Sequence, residues 1–257
     1  MKNYELVLSW VEADLAAGRL RLGGRLPGER VLAEQLGISR PSVREAVRVL
    51  EALGVVRTAT GSGPEAGAVI VAEPASPLTA LLRLHLATNH LPMGDIVQTR
   101  VLLESWAARQ AAELFAVEGA ADRKQGAGGA SGVGAGSGLG GVGLLGVAEG
   151  LLGRMEDPGL SPEEFHLLDA EFHVALSGVA GNVLIAAVMA SLRSAIHGYV
   201  MAAVPNLSDW DATVVGLRAE HQAILAAVRA GEADRAARLV TDHIQGFYRA
   251  ARLASPD

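Results

Sequence analysis

With no cysteine among its 257 residues, the chain can form neither disulfides nor thiolate metal sites. That suits a reducing cytoplasm, where we expect it to reside. No apolar run reads as a membrane span, which needs roughly 18 to 20 residues. The opening MKNYELVLSW lacks the basic-then-apolar pattern of a signal peptide. An excess of basic charge is missing too, since the formal net charge is -6. This argues superficially against a nucleic-acid partner, but the two ends differ. Residues 1–64 hold nine Lys/Arg and seven Asp/Glu, giving +2, while the remainder holds thirteen against twenty-one, giving -8. A mildly basic head on an acidic body is compatible with local contact to DNA. Finally, the glycine-rich stretch GAGGASGVGAGSGLGGVG at 126–143 has no Lys-Ser/Thr after its glycines and no strand before it. It is therefore no phosphate loop.

Half of the residues are hydrophobic, enough for one large core or two small ones. Apolar periodicity predicts a helix over 4–17, closed by glycines at 18, 23 and 24. A short helix follows over 29–36 and stops at Gly37. Ser39 caps a third, over about 40–53, with Pro41 tolerated in its first turn. Val55–Thr60 and Ala68–Val71 read as two short strands around a glycine-rich turn. EPASP at 73–77 reads as a linker between a domain at 1–72 and a helical one at 78–257. Within the latter, helices are predicted over 78–91, 95–118, 144–156, 162–178, 182–204, from Ser208 or Asp209 to Gly231, and over 232–253. The glycine-rich stretch at about 119–143 reads as a flexible insertion, because ordering so much glycine costs more backbone entropy than its few side chains return. The fold class is mostly α: a winged helix-turn-helix followed by an antiparallel bundle of six or seven helices.

Two short helices joined by a tight glycine turn make a helix-turn-helix. Leu32, Leu36, Ile38, Val43, Val47 and Leu50 form its expected core. Its second helix carries Ser39, Arg40, Ser42 and Arg44 at the N-terminal end, which enters the major groove in such motifs. There arginine either donates a bidentate pair to guanine or neutralises a phosphate. On the hairpin alone, a surface-charged helical pair is an equal alternative. Residues 25–57, RLPGERVLAEQLGISRPSVREAVRVLEALGVVR, resemble the signature of the GntR family of bacterial regulators, with Gly28 where the family usually has Ser. The resemblance implies that Arg30, Arg40 and Arg44 approach DNA, with Ser39 and Ser42 as lesser contacts. It also implies a glycine at the wing tip, matched here by Gly61 in a wing that is longer and less basic than usual.

In the second half, Asp169 and His173 are four apart and share a helix face. His221 falls in the stripe Leu217, Ile224, Leu225, Val228, and His243 in the stripe Leu239, Val240, Phe247. One carboxylate and three imidazoles thus point toward the core from three helices. Burying them without partners is costly, and metal coordination is one solution, since these ligands suit Zn, Ni, Mn or Fe. The alternative is that each histidine is an ordinary hydrogen-bonded core residue. His85, His90, His166 and His197 show no such convergence and read as structural or surface residues.

The same region resembles the FadR-type C-terminal domain of GntR regulators, called FCD, through RVLLESWAARQAA at 100–112, LDAEFHVALSGVAGN at 168–182, HQAIL at 221–225 and DHI at 242–244. The resemblance implies a helical bundle with a central pocket. In the metal-binding branch, the positions of Asp169, His173, His221 and His243 hold a divalent cation, with zinc favoured. An acid effector sits beside it, with Arg100 as a carboxylate clamp and Asn182 as a second effector contact. It further implies a homodimer that reads a palindromic double-stranded DNA operator, as a repressor or an activator, with release from DNA the commoner response to effector in the family. We expect no enzymatic activity and no membrane partner. Two rival readings stay open at this point: a metal-dependent enzyme with Glu171 or Glu220 as its base, and a bundle in which metal is only a structural staple.

Overall fold

The computed structural model describes the backbone of residues 3–59, 67–125 and 138–253, and their side chains outside 118–142. The chain divides into two compact units, Met1–Leu78 and Thr79–Asp257.

The first unit is built from α1 (Asn3–Ala16), α2 (Glu29–Leu36), α3 (Arg40–Ala52), β1 (Val56–Ala59) and β2 (Gly67–Ile70). Gly37 ends α2 with φ of 66° and donates its N–H to the Ala33 carbonyl, a left-handed stop that glycine adopts without strain. Ser39 then caps α3, its side chain accepting from Ser42 N–H at 3.2 Å. Leu32, Val43 and Leu50 are buried, while Leu36, Ile38 and Val47 are partly buried against them. β1 and β2 pair antiparallel from Val56↔Ile70 to Ala59↔Gly67. Arg25 adds an isolated bridge to Val69 on the other side of β2, too short to show as a strand pattern in the sequence. Gly54 follows α3 at φ of +67°, and a Cβ there would lie 2.3 Å from the Glu73 carbonyl oxygen. Only glycine lets those two backbone segments meet. The expected wing tip, with Gly61, lies outside the described residues.

The second unit contains α5 (Met93–Gln125), α6 (Gly138–Met155), α7 (Pro162–Val179), α8 (Val183–Ala203), α9 (Trp210–Arg229) and α10 (Ala233–Ala250), with α4 (Ala75–Ala87) leading into it. The expected linker at 73–77 is therefore partly helix, because α4 starts at Ala75. Pro77 is tolerated there because first-turn N–H groups have no intrahelical acceptor to lose. Part of the stretch expected over 119–143 as a flexible insertion is helix. Helix α5 continues through GAADRKQ to Gln125, mostly residues of good helix propensity, and α6 already begins at Gly138. Residues 126–137 lie outside the description.

α7 is the central helix of this unit. A reciprocal capping box starts it, with Ser161 N–H donating to Glu164 Oε2 at 2.9 Å and Glu164 N–H to Ser161 Oγ at 3.3 Å. Such a cap is worth about 1 kcal/mol. Phe165, Leu168, Phe172, Leu176 and Val179 are buried along it, as are its polar residues His166, Asp169, His173 and Ser177. A helix buried on most of its circumference has to be enclosed by neighbours. Here α5, α6 and α8 pack on it, and a buried stripe of Ala107, Ala108, Ala111 and Ala112 on α5 lets α10 approach closely. By length and composition, Val183–Asn206 is apolar enough to cross a membrane, which the search for apolar runs passed over. Its Met189, Leu192, Ile196 and Val200 instead belong to the bundle core.

Candidate functional site

The helix-turn-helix presents a line of cations. Val43, Ala46 and Leu50 bury one face of α3, so Arg40, Arg44 and Arg48, spaced four apart, share the exposed opposite side. Arg44 is already engaged, with Nε donating to Glu29 Oε1 at 3.1 Å and Nη2 to Glu29 Oε2 at 2.9 Å. This pairing holds the Glu29 carboxyl below its ordinary range, with Arg40 and Arg48 adding to the effect. Arg30 pairs with Glu34 at 2.8 Å across one helix turn. Ser42 Oγ accepts from Asn3 at 2.8 Å and lies 2.9 Å from Ser39 Oγ. The two serines thus build the start of α3 while the arginines remain at the surface. Arg48 was not singled out from the sequence, although its spacing from Arg40 and Arg44 signals it.

In the bundle, Asp169 and His173 from α7, His221 from α9 and His243 from α10 converge. One ligand atom from each lies within 4.8 Å of all the others, and all four residues are buried. Asp169 Oδ1 is 3.0 Å from His221 Nε2, 3.5 Å from His173 Nε2 and 3.9 Å from His243 Nε2. His173 Nε2 and His243 Nε2 are 3.1 Å apart. Two ligands bonded at about 2.1 Å to one tetrahedral ion stand about 3.4 Å apart, and these separations bracket that value.

The polar groups behind these atoms orient them. His243 Nδ1 is 2.7 Å from Glu220 Oε2, and His173 Nδ1 is 2.5 Å from Glu104 Oε2. The second contact is close but not aligned as a hydrogen bond, so Glu104 Oε2 remains a buried acceptor short of a donor. A carboxylate facing Nδ1 favours the proton there and leaves the lone pair on Nε2. With both rings in that tautomer, two lone pairs face each other across 3.1 Å. Placing a proton on either Nε2 would instead turn a lone pair against a carboxylate. A cation among the Nε2 atoms removes the conflict. His221 makes the same point, because both of its ring nitrogens lack a hydrogen-bond partner and the residue is fully buried. Its Nε2 approaches Asp169 without hydrogen-bond alignment. An unmet buried polar atom costs about 1–3 kcal/mol. The donor set and its orphaned atoms therefore fit a divalent metal.

The electrostatics keep the acids charged and favour the neutral form of His221 and His243. Burial opposes ionisation of Asp169, but Arg193 and then His173 hold its carboxyl well below the usual carboxylate range. Arg193 Nη2 donates to Asp169 Oδ2 at 2.5 Å. Burial likewise opposes charge on Glu104, yet Arg100, His173 and Arg193 hold it far below its ordinary value. Burial pushes the His221 imidazole down, reinforced by His243, and burial also pushes His243 down against the pull of Glu220. Neutral imidazole is the form that ligates metal.

Beside this cluster lies a chamber of about 40 Å³ walled by Arg100, His166, Asp169, Arg193, His243 and Tyr248 among others. Arg100 is buried, with Nε donating to Glu104 Oε1 at 2.7 Å and Nη1 to Tyr248 Oη at 2.8 Å. It therefore faces the chamber, already paired. Asn182 is elsewhere. It caps α8 by accepting from Ile185 N–H at 3.1 Å and lines neither this chamber nor the larger groove beside it.

Comparison with known proteins agrees with both halves. Residues 3–65 match the family described as bacterial regulatory proteins, gntR family, and residues 147–246 match the FCD domain. The chain is a GntR-family transcription regulator with an FCD domain. The Glc operon transcriptional activator of Escherichia coli is 28% identical over 242 residues, covering 94% of this chain and 85% of that one. The HTH-type transcriptional repressor NanR of Klebsiella aerogenes is 28% identical over 252 residues, covering 95% and 83%. Among solved structures, Streptococcus agalactiae GntR shares the fold with a TM-score of 0.62 at 22% identity, over 96% of this chain and 99% of that one. These relatives are regulators of transcription, so this GntR protein binds DNA and regulates rather than catalyses. The carboxylates weighed as catalytic bases have other roles in it: Glu220 holds His243, and Glu171 sits at the surface 3.9 Å from Arg154.

Sequence reading of this regulator missed Glu104, Arg193 and Tyr248, and it set aside His166 and His197. His166 is in fact buried, with Nδ1 3.8 Å from Asp169 Oδ2, and both histidines line the chamber. Two signals were available. Arg193 is the only Asp, Glu, Lys or Arg within α8, and His166 stands one turn before Asp169.

Proposed function

We propose that the protein is a cytoplasmic, homodimeric regulator whose operator affinity is set by a small organic acid. That acid binds in the second unit beside a divalent cation, zinc in the first instance, held by Asp169, His173, His221 and His243. The observation that carries this reading is the facing pair of Nε2 atoms at 3.1 Å, together with a fully buried His221 that has no hydrogen-bond partner. When bound, the cation supplies a Lewis-acid site for an anionic oxygen. The protein's own charges point the same way. Asp169 and Glu104 are balanced by Arg193 and Arg100, so an added dication leaves an excess of positive charge that favours a carboxylate. Arg193 Nη1 is buried without a hydrogen-bond partner, which provides a donor for it at the chamber wall.

In the DNA-reading part, residues 1–72, Arg40 and Arg44 reach bases or phosphates from the start of α3. Arg30, Ser39 and Ser42 support them. A second copy is supported by α4, whose Leu81 and Leu84 are 52% and 69% exposed, large apolar side chains that a lone chain leaves in water. Two heads on a two-fold axis read a palindromic operator. Elemental analysis and calorimetry test the proposal. The purified protein should retain about one divalent ion per chain, the His173→Ala, His221→Ala double variant should retain none, and short carboxylic acids should bind only the metal-loaded form. Full metal occupancy in the double variant would overturn the site.

A further inference from the structure

The chamber and the surface next to it are mismatched in size, and the mismatch bears on the effector. At about 40 Å³, the chamber holds on the order of three waters at about 10–15 Å³ each. That suffices for a carboxylate head and little else. Adjoining it is a groove of about 1400 Å³ between α4, α6, α7 and α8, with Leu151, Leu167, Val174 and Tyr199 in its walls. Ala170, Arg193 and His197 line both spaces. Ala170 contributes only a methyl group to this partition. Arg193 contributes a buried guanidinium whose Nη2 is held by Asp169 while Nη1 has no hydrogen-bond partner. Leu167 is 49% exposed and Tyr199 39%, so the groove offers apolar surface that water covers poorly.

We infer that the effector is an amphipathic carboxylic acid, with its head in the chamber on the far side of Arg193 and an apolar body of about six or more carbons in the groove. This rests on the reading of the chamber as the acid site given above. It adds a second subsite, at which the length and apolarity of the ligand are read.

The test is isothermal titration of the full-length, zinc-loaded protein with acetate, butanoate and octanoate, alongside Leu167→Glu and Ala190→Trp. Both substitutions lie in the groove wall and line neither the chamber nor the metal cluster, and unchanged zinc content and circular dichroism verify the variants. Each fully buried methylene is worth about fourfold in affinity, so octanoate should bind at least about tenfold tighter than butanoate. Either substitution should remove that gain and leave acetate binding unchanged. Metal-dependent acetate binding with no gain for octanoate would overturn the groove subsite while leaving the chamber intact. Binding of none of the three acids would overturn both. A fall from dimer to monomer mass in Leu167→Glu would overturn the inference differently, by assigning the groove to a second copy of the chain.

Discussion

Replacing His221 with leucine should raise the stability of the metal-free protein and lower that of the zinc-loaded one. The imidazole is fully buried, and neither ring nitrogen has a hydrogen-bond partner. An unsatisfied buried polar group costs about 1–3 kcal/mol, and an apolar group of similar size does not incur that cost. Against this stands repacking beside Phe172, whose ring centroid is 4.9 Å away; swaps of similar volume usually cost less than about 1.5 kcal/mol. The balance in chelator is a gain of up to about 2 kcal/mol, or a few degrees in Tm at about 2–4 °C per kcal/mol for a unit of this size. Zinc reverses the order. At a free concentration about a thousandfold above Kd it stabilises the wild type by about 4 kcal/mol, and the leucine variant loses most of this. Differential scanning calorimetry in EDTA and in buffered zinc gives the four Tm values. If His221→Leu melts well below wild type in EDTA, and zinc moves neither protein, His221 is an ordinary satisfied core residue and the argument from its orphaned atoms fails.

Three further outcomes are expected. Arg44→Ala should weaken operator binding by about 10- to 100-fold if its guanidinium reads a base, and unchanged affinity in an anisotropy titration rejects that role. Gly54→Ala should destabilise the DNA-reading unit by more than about 1–3 kcal/mol, since φ is +67° and the new Cβ would meet the Glu73 carbonyl; urea melts check this. The metal-free protein should lose stability as pH falls below about 6.5. His221 and His243 are depressed from 6.5 in the folded state, so the unfolded chain takes up their protons first, at up to about 1.4 kcal/mol per pH unit for each. Asp169 and Glu104, also depressed, extend the loss below about pH 4, where the unfolded carboxylates protonate. Chemical denaturation from pH 5 to 8 with a flat profile would contradict the shifts on the histidines.

What the sequence alone determined about this protein is what depends on near neighbours in the chain. The helix starts near 40, 162 and 182 were legible, and each is fixed by a cap made within three residues, from Ser39, Ser161 and Asn182. The pairing of Asp169 with His173 was legible because one helix turn puts them on one face. The arginine line on α3 followed from the same spacing, although its last member, Arg48, was passed over. Periodicity turned His221 and His243 inward and so added them to the candidate metal set, and resemblance then favoured metal over ordinary core histidines. The tertiary structure decided the rest. Only resemblance turned Arg100 toward a pocket and nothing singled out Glu104, until the packing of α5 against α7 and α10 buried both. Arg193 meets Asp169 across 24 positions, and Glu220 meets His243 across 23. Such contacts depend on how helices pack against one another, and no local period encodes that. The groove beside the chamber is likewise a space between four helices, and none of them carries a pattern that announces it.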